Sequence, residues 1–275
     1  MPRVVEFITA LGDAINRVYG TDAYTGLGYT MDPVDVIVSS PNPGVKELFS
    51  WHPKKDLLNV REVPFYGTWG DEHRKRHGIG LGLIQPDNPR SGEVKFYPSL
   101  TDLDVLGELK QMKTKFILFA ASAGIQNRNV PDQLTQLAAD VCVEAGYHVV
   151  RVGRTYQPQI DPSFRPNEEV VRSEPEIRGP WVIDLVDKLS VPGTMLAVEQ
   201  AAGVFCAHSA ICLAAWHMQR PVFLPMPERY YRGLWSVDDQ FSFGRDRPST
   251  FHCQFEEFSQ AHLRTWLREV ERGTW

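Results

Sequence analysis

Residues Ala201–Pro221 read AAGVFCAHSAICLAAWHMQRP. A short apolar run, Val204 to Cys206, is followed by the polar pair His208–Ser209 and then by an apolar run from Ile211 to Met218. The first run predicts a buried strand and the second a helix. Ser209 stands where an N-cap belongs. A strand, a polar turn and a helix in that order bring unpaired helix-start N–H groups to the end of the strand, which suits an anion such as phosphate. The stretch therefore predicts a phosphorylated ligand bound at the C-terminal edge of a sheet.

The same alternation extends outward. Lys115–Ala121 (KFILFAA) reads as a buried strand, and Ser122–Asn129 as a polar loop. Pro131 opens a helix, as proline does in a first turn. Leu134, Leu137, Ala138, Val141, Cys142 and Ala145 share one face of that helix, and Gly146 ends it. Strands are predicted at Tyr147–Val152, Trp181–Leu185 and Pro221–Leu224, and Ser190 caps a helix running to Ala201. Phe255–Arg272 reads as a last amphipathic helix. Strands alternating with helices imply a parallel sheet covered on both faces. The first half carries strands at Val4–Thr9, Asp35–Ser40 and Leu57–Val63, then a stretch rich in glycine and charge from Tyr66 to Arg90 that predicts loops. Val105–Met112 reads as a helix or linker, so the domain boundary is placed at 112, with domains 1–112 and 113–254 and a tail 255–275. Two α/β domains imply a cleft between the C-terminal ends of two sheets, where such folds bind ligands.

Composition excludes several classes. The chain has 275 residues, 43% hydrophobic and 23% charged, which predicts globular cores rather than disorder. A formal charge of −5 argues against nonspecific nucleic-acid binding, while leaving room for a local basic patch. Cys142, Cys206, Cys212 and Cys253 show no CxxC spacing, and the N-terminus has no signal-peptide pattern. Reduced thiols and a cytoplasmic location are expected. No run reaches the roughly 18 apolar residues of a membrane span.

Several residues can carry chemistry, each with a plainer reading beside it. Asp13, after Gly12 at the end of the first strand, can take a proton from a hydroxyl or can cap a helix. Arg128, before a helix start, can neutralise a diphosphate or be a solvated loop charge. In Gly153–Gln157 (GRTYQ), Gln157 can bond a ribose hydroxyl or sit in a polar turn. His208, Ser209 and Ala210 can hold a phosphate, or Ser209 can simply cap. Arg74, Lys75 and Arg76 can dock an anionic acceptor or form a solvated face. Cys206, His208, Cys212 and His217 do not match a zinc spacing, because a Cys and His five apart on a helix do not share a face. Gly78–Gly82 lacks the following helix of a dinucleotide fingerprint, and neither a P-loop nor a GxSxG elbow occurs.

The order of these segments resembles a known family. Leu11-Gly12-Asp13 follows the first strand. A strand then ends in a small-residue loop with Arg128 before Pro131, and a later strand ends in Gly153. Asp184–Ser190 fits DLxxKxS, and the strand–polar–Ser–small–helix–Pro segment closes the series. Together they resemble the ADP-heptose:lipopolysaccharide heptosyltransferases of glycosyltransferase family 9, best over Lys115–Pro225. The resemblance implies a GT-B fold, two Rossmann-like domains facing across a cleft, with the C-terminal helix packing back on the first domain. It implies sugar transfer from a nucleotide-sugar donor to an acceptor hydroxyl, inverting, without metal or cofactor.

In that frame Asp13 is the catalytic base, and Gly12 and Arg74–Arg76 lie on the acceptor side. Arg128 takes the place of the lysine on the donor phosphates, and Gln157 falls near the acidic residue on the donor ribose. Ser122 and Gly153 border the donor, and His208–Ser209–Ala210 matches the family's Asp-Ser-Gly. His208 for Asp, Ala210 for Gly, Leu213 for His and Val130 for Trp depart from the pattern. They leave the donor and acceptor open: an anionic or glycan acceptor, lipopolysaccharide core or modified DNA. A nucleotide-sugar epimerase or hydrolase, or a noncatalytic nucleotide-sugar-binding protein, are the alternatives.

Overall fold

The computed structural model describes residues 4–8, 15, 34–38, 45–51, 55–63, 98–111, 114–123, 128–155, 157–159, 170–227 and 250–273. The chain divides into two compact units, Met1–Lys95 and Phe96–Trp275. In the first unit, β1 (Val4–Ile8), β2 (Val34–Val38) and β3 (Leu58–Glu62) form a parallel sheet in that order. Val36, Ile37 and Val38 of β2 are buried in succession, so both faces of that strand are covered. Gly12, Asp13, Arg74, Lys75 and Arg76 lie outside the described residues.

The second unit begins with α1 (Leu100–Gln111), β4 (Phe116–Ala120), α2 (Asp132–Glu144) and β5 (His148–Arg151). An antiparallel pair follows, β6 (Gln157–Gln159) with β7 (Val170–Arg172). Next come β8 (Val182–Asp184), α3 (Val191–Gln200), β9 (Gly203–Cys206) and α4 (Ala210–His217). The unit ends with β10 (Val222–Met226), β11 (Thr250–Gln254) and α5 (Gln260–Arg272). Six strands form one all-parallel sheet in the order β11–β10–β9–β4–β5–β8. The chain builds outward from β4 through β5 and β8, then returns to the other side of β4 and builds β9, β10 and β11. The direction of winding reverses between β4 and β9, and in such sheets the ligand crevice lies beyond the C-terminal ends at that point.

Alternate residues of each strand serve opposite faces. Phe116, Leu118 and Ala120 of β4 pack with α1, α3 and α4, while Ile117 and Phe119 pack with α2 and α5. Because β4, β9 and β10 are buried on both faces, their sequences are unbroken apolar runs. On the second face Phe119, Phe205, Phe223 and Phe251 stand at matched positions of β4, β9, β10 and β11. Their rings stack in a row at 4.8, 5.9 and 5.0 Å between centroids. Each such pair contributes about 0.5–1.5 kcal/mol beyond its buried area.

Two segments of the second unit, α1 and the tail, bear on its extent. The compact units divide after Lys95, whereas the sequence reading places the boundary at 112. The reason is Asp102 of α1, a buried carboxylate shared by two helix starts. It accepts from the Ser99 N–H (2.9 Å) and Oγ (2.8 Å), forming a cap on its own helix. It also accepts from the Ser190 N–H (2.8 Å) and Oγ (2.6 Å) at the start of α3. Gly193 is required in the first turn of α3, since a Cβ there would overlap the Asp102 carboxylate. The segment read as a helix or linker is thus a helix bolted into the second unit.

The tail, which the resemblance implies packs back on the first domain, forms α5 and completes the core of the second unit. Leu263, Trp266, Leu267 and Val270 are buried against α2 and the sheet. Trp266 meets Phe223 edge-on at 5.6 Å. It also lies so close to Gly203 that a Cβ there would sit 2.9 Å from its ring. Its apolar face is consumed locally. The core also holds the thiols: all four cysteines are unpaired and buried. Burial pushes the Cys142 and Cys206 thiols upward and Cys253 to about 12.

Burial alone would raise the Asp102 pKa, but its hydrogen bonds from Ser190 and Ser99 prevail and hold it below the ordinary value. A pKa lower in the folded than in the unfolded chain stabilises fully above the unfolded value and progressively less as pH falls through the folded one. Asp102→Asn is therefore expected to flatten the acid limb of the stability curve below about pH 4. Asp102→Ala leaves the Ser99 and part-buried Ser190 N–H groups without their acceptor and should cost about 1–3 kcal/mol in denaturant unfolding at neutral pH.

Candidate active site

Two loops leave the sheet at the reversal point, one after β4 and one after β9. They start side by side, because the Ala207 N–H donates to the Ala120 carbonyl at 2.9 Å. After β9 the chain runs through buried His208 to Ser209, whose backbone is extended (φ −141°, ψ −177°). That is N-cap geometry, and the Ser209 carbonyl accepts the first helical bond from Leu213 at 3.3 Å. Its hydroxyl behaves otherwise. The buried Ser209 Oγ makes no cap bond and has no hydrogen-bond partner. Compare Ser190, whose Oγ accepts from the Gly193 N–H at 3.2 Å. The sequence places serine correctly at both helix starts, but only one of them serves its own helix. The start of α4 keeps the positive end of the helix dipole and an idle hydroxyl at the reversal point.

The loop after β4 carries Ala121, Ser122 and Ala123 in buried positions and brings back half-buried Arg128. The Val130 N–H donates to the Ala121 carbonyl at 2.9 Å, which closes the loop on itself just before α2. Asn129 supports it from inside, accepting from the Ala123 N–H at 2.7 Å. Arg128 is therefore delivered to the same edge as Ser209 by a braced loop. Val130, which stands where the resembled family has Trp, is buried in the core.

Ser122 is engaged within the chain. Its N–H donates to Glu174 at 3.1 Å and its Oγ to the Ser173 carbonyl at 3.4 Å. The Ala121 N–H donates to the other oxygen of the same Glu174 carboxylate. Glu174, Asn129 and Arg151 are site-edge residues that sequence reasoning missed. Glu174 lies in SEPEIRG, which has no helical or alternating pattern to single it out.

The loops after β5 and β8 form the flank. Gly153 has φ +136°, which favours glycine, and a Cβ there would fall 3.0 Å from the Glu174 carboxylate. The Thr155 N–H and hydroxyl donate to Asp187. Those bonds, the hydroxyl's first, hold the Asp187 carboxyl below its ordinary value, with Arg154 adding to the effect. Buried Arg151 donates to Asp184 at 3.0 Å and to the Glu174 carbonyl at 3.1 Å. Gln157 begins β6. The fold thus gathers Ser122, Arg128, Gly153, His208, Ser209 and Ala210 at the C-terminal edge of one sheet. Among the described residues no group of three or more His, Cys, Asp or Glu could hold a metal ion.

No protein-family model matches the chain, and curated proteins show no sequence match. Solved structures do. E. coli ADP-heptose LPS heptosyltransferase II superposes with a TM-score of 0.61 at 10% identity, over 99% of both chains. The iron-containing dodecameric glycosyltransferase TibC from enterotoxigenic E. coli H10407 gives 0.57 at 14% identity, over 98% of this chain and 78% of that one. The glycosyl transferase family 9 protein of Veillonella parvula DSM 2008 gives 0.51 at 10% identity, over 99% and 97%. At such identities the likeness establishes architecture, and the architecture is a GT-B-like α/β fold with parallel sheets.

Proposed function

We propose that the chain is a glycosyltransferase of the heptosyltransferase-like kind, moving a sugar from a nucleotide-sugar to an acceptor hydroxyl. The observation that carries this reading is the start of α4: an extended N-cap at the reversal point of a parallel sheet, with a buried and unpartnered Ser209 hydroxyl. A diphosphate is the ligand such a place accepts, through amide N–H groups, the hydroxyl and the helix dipole together. The fold neighbours support the ligand class, since TibC has been solved with ADP-D-β-D-heptose and E. coli WaaC with ADP.

In this reading Arg128 faces the diphosphate, His208 and Ala210 flank it with Ser209, and Ser122, Gly153 and Gln157 border the nucleoside. The first unit supplies the acceptor-side residues, Gly12, Asp13 and the cations Arg74, Lys75 and Arg76. Asp13 takes the proton of the acceptor hydroxyl, whose oxygen forms the new bond to the anomeric carbon. The bond from that carbon to the diphosphate breaks from the opposite face, so configuration inverts and a nucleoside diphosphate departs. Arg128 and the α4 amides stabilise the departing charge, preorganised donors being the means by which such sites act. No metal or cofactor is required. The acceptor is anionic or a glycan, with lipopolysaccharide core and modified DNA as the candidate classes. Among the described residues no helix is long and apolar enough to cross a membrane. The unpaired thiols fit a reducing cytoplasm.

Thermal denaturation against a panel of nucleoside diphosphates and their sugars tests the donor site. A ligand at 100 times its Kd should stabilise the chain by about 2.7 kcal/mol. Arg128→Ala should weaken that ligand by roughly 10–100-fold, the worth of a charge-assisted hydrogen bond. If no nucleotide stabilises the chain, the reading fails. Ser209→Ala separates ligand binding from capping. Its stability should stay within about 0.5 kcal/mol, because no cap bond is lost, while nucleotide affinity falls several-fold. A stability loss near 1 kcal/mol with unchanged affinity would assign the hydroxyl to the helix instead. Asp13→Asn should retain nucleotide binding and lose sugar transfer by roughly 100-fold or more; full transfer by that variant would rule out Asp13 as the base.

A further inference from the structure

Glu174 holds a position that the proposed reaction does not use. Its carboxylate is buried at the mouth of the sheet, reached from 52 residues further along the chain than Ser122. One oxygen accepts from the Ala121 N–H and the other from the Ser122 N–H. Two successive amides converging on one anion form the concave arrangement that binds phosphate elsewhere. The next amide, Ala123, already donates to Asn129 at 2.7 Å. Every described amide from Ala121 to Ala123 therefore has an acceptor inside the chain.

The carboxylate is also held from behind. The Glu174 N–H donates to the Arg154 carbonyl at 3.1 Å, and its own carbonyl accepts from Arg151 at 3.1 Å. Arg151 is in turn fixed by Asp184 at 3.0 Å. Gly153 leaves the space the carboxylate fills, a Cβ there falling 3.0 Å from it. A buried negative charge so braced repels a second anion strongly, because little solvent lies between them.

Resting on the reading of the Ser209 turn as the diphosphate site, we infer that Glu174 is a specificity-determining residue. It fills the anion site after β4 with the chain's own carboxylate and so confines the donor's pyrophosphate to the Ser209 and Arg128 side of the reversal point. The group of the donor that lies against Glu174 is then a hydrogen-bond donor, a hydroxyl or an amine, and never a phosphate.

Titration of the ¹⁵N-labelled full chain with inorganic pyrophosphate at low salt tests this without any substitution. The amides of Ser209, Ala210 and Ile211 should shift, and those of Ala121 and Ser122 should stay in place. Shifts at both sets would overturn the inference while leaving the donor site standing. Shifts at neither set would refute the donor site and this inference with it. Glu174→Ala provides the converse. In the folded variant, Ala121 and Ser122 should begin to respond and calorimetry should read a second pyrophosphate per chain. A folded variant with silent Ala121 and Ser122 amides and one pyrophosphate per chain would overturn the inference. Should the variant not fold, the wild-type titration decides alone.

Discussion

Four phenylalanines set the frame within which everything else is placed. Phe119, Phe205, Phe223 and Phe251 stand rung to rung across β4, β9, β10 and β11, with Trp266 closing over Phe223. Side chains alternate along a strand, so a slip of one residue in any of these strands would carry its ring to the other face. The row therefore fixes register. Fixed register is what sets the ends of β4 and β9 together, and the bond from the Ala207 N–H to the Ala120 carbonyl records it. The loops that carry Arg128 and Ser209 begin from those two ends. Their relative position follows from the packing beneath them.

Buried carboxylates then finish what the apolar core begins. Asp102 and Glu174 each gather N–H groups from a segment remote in sequence. At Asp102 the two segments are helix starts, and the outcome is mechanical: α1 and α3 are pinned as a pair. At Glu174 the amides belong to the rim of the site, and the outcome is electrostatic. The contrast between Ser190 and Ser209 runs parallel. One helix start is satisfied by its own side chain, while the other retains its hydroxyl at the crevice. Internal acceptors are thus supplied at α3 and after β4, and at α4 the Ser209 hydroxyl supplies none.

Much of this was legible in the sequence where one physical effect dominates. KFILFAA, the run at 147–152 and GVFC are strands because a strand covered on both faces must be apolar throughout. Gly146 marks a helix end because its φ of +88° favours glycine. Other features depend on contacts that no local pattern encodes. Ser99 and Asp102 form an S-x-x-D capping signal that would have started α1 at Leu100, but the tie to Ser190 is tertiary. The tail's amphipathic face was visible; which surface it meets was not, and burial of Trp266 against Gly203 decides that. Glu174 was invisible for the same reason, since a single carboxylate in an irregular segment carries no periodicity. The Asp13 turn and the Arg74–Arg76 run lie outside the described residues, so the acceptor side rests on sequence.

The buried cysteines have a practical side. Thiolates, not thiols, attack maleimides; burial blocks access to all four thiols and opposes ionisation of Cys142, Cys206 and Cys253. The native chain is accordingly a quiet background for dye chemistry. One cysteine introduced at exposed Asp56 and another at exposed Glu271 would each take a fluorophore selectively. The two sites belong to different units, so energy transfer between the dyes would report the spacing of the units in solution, with and without nucleotide.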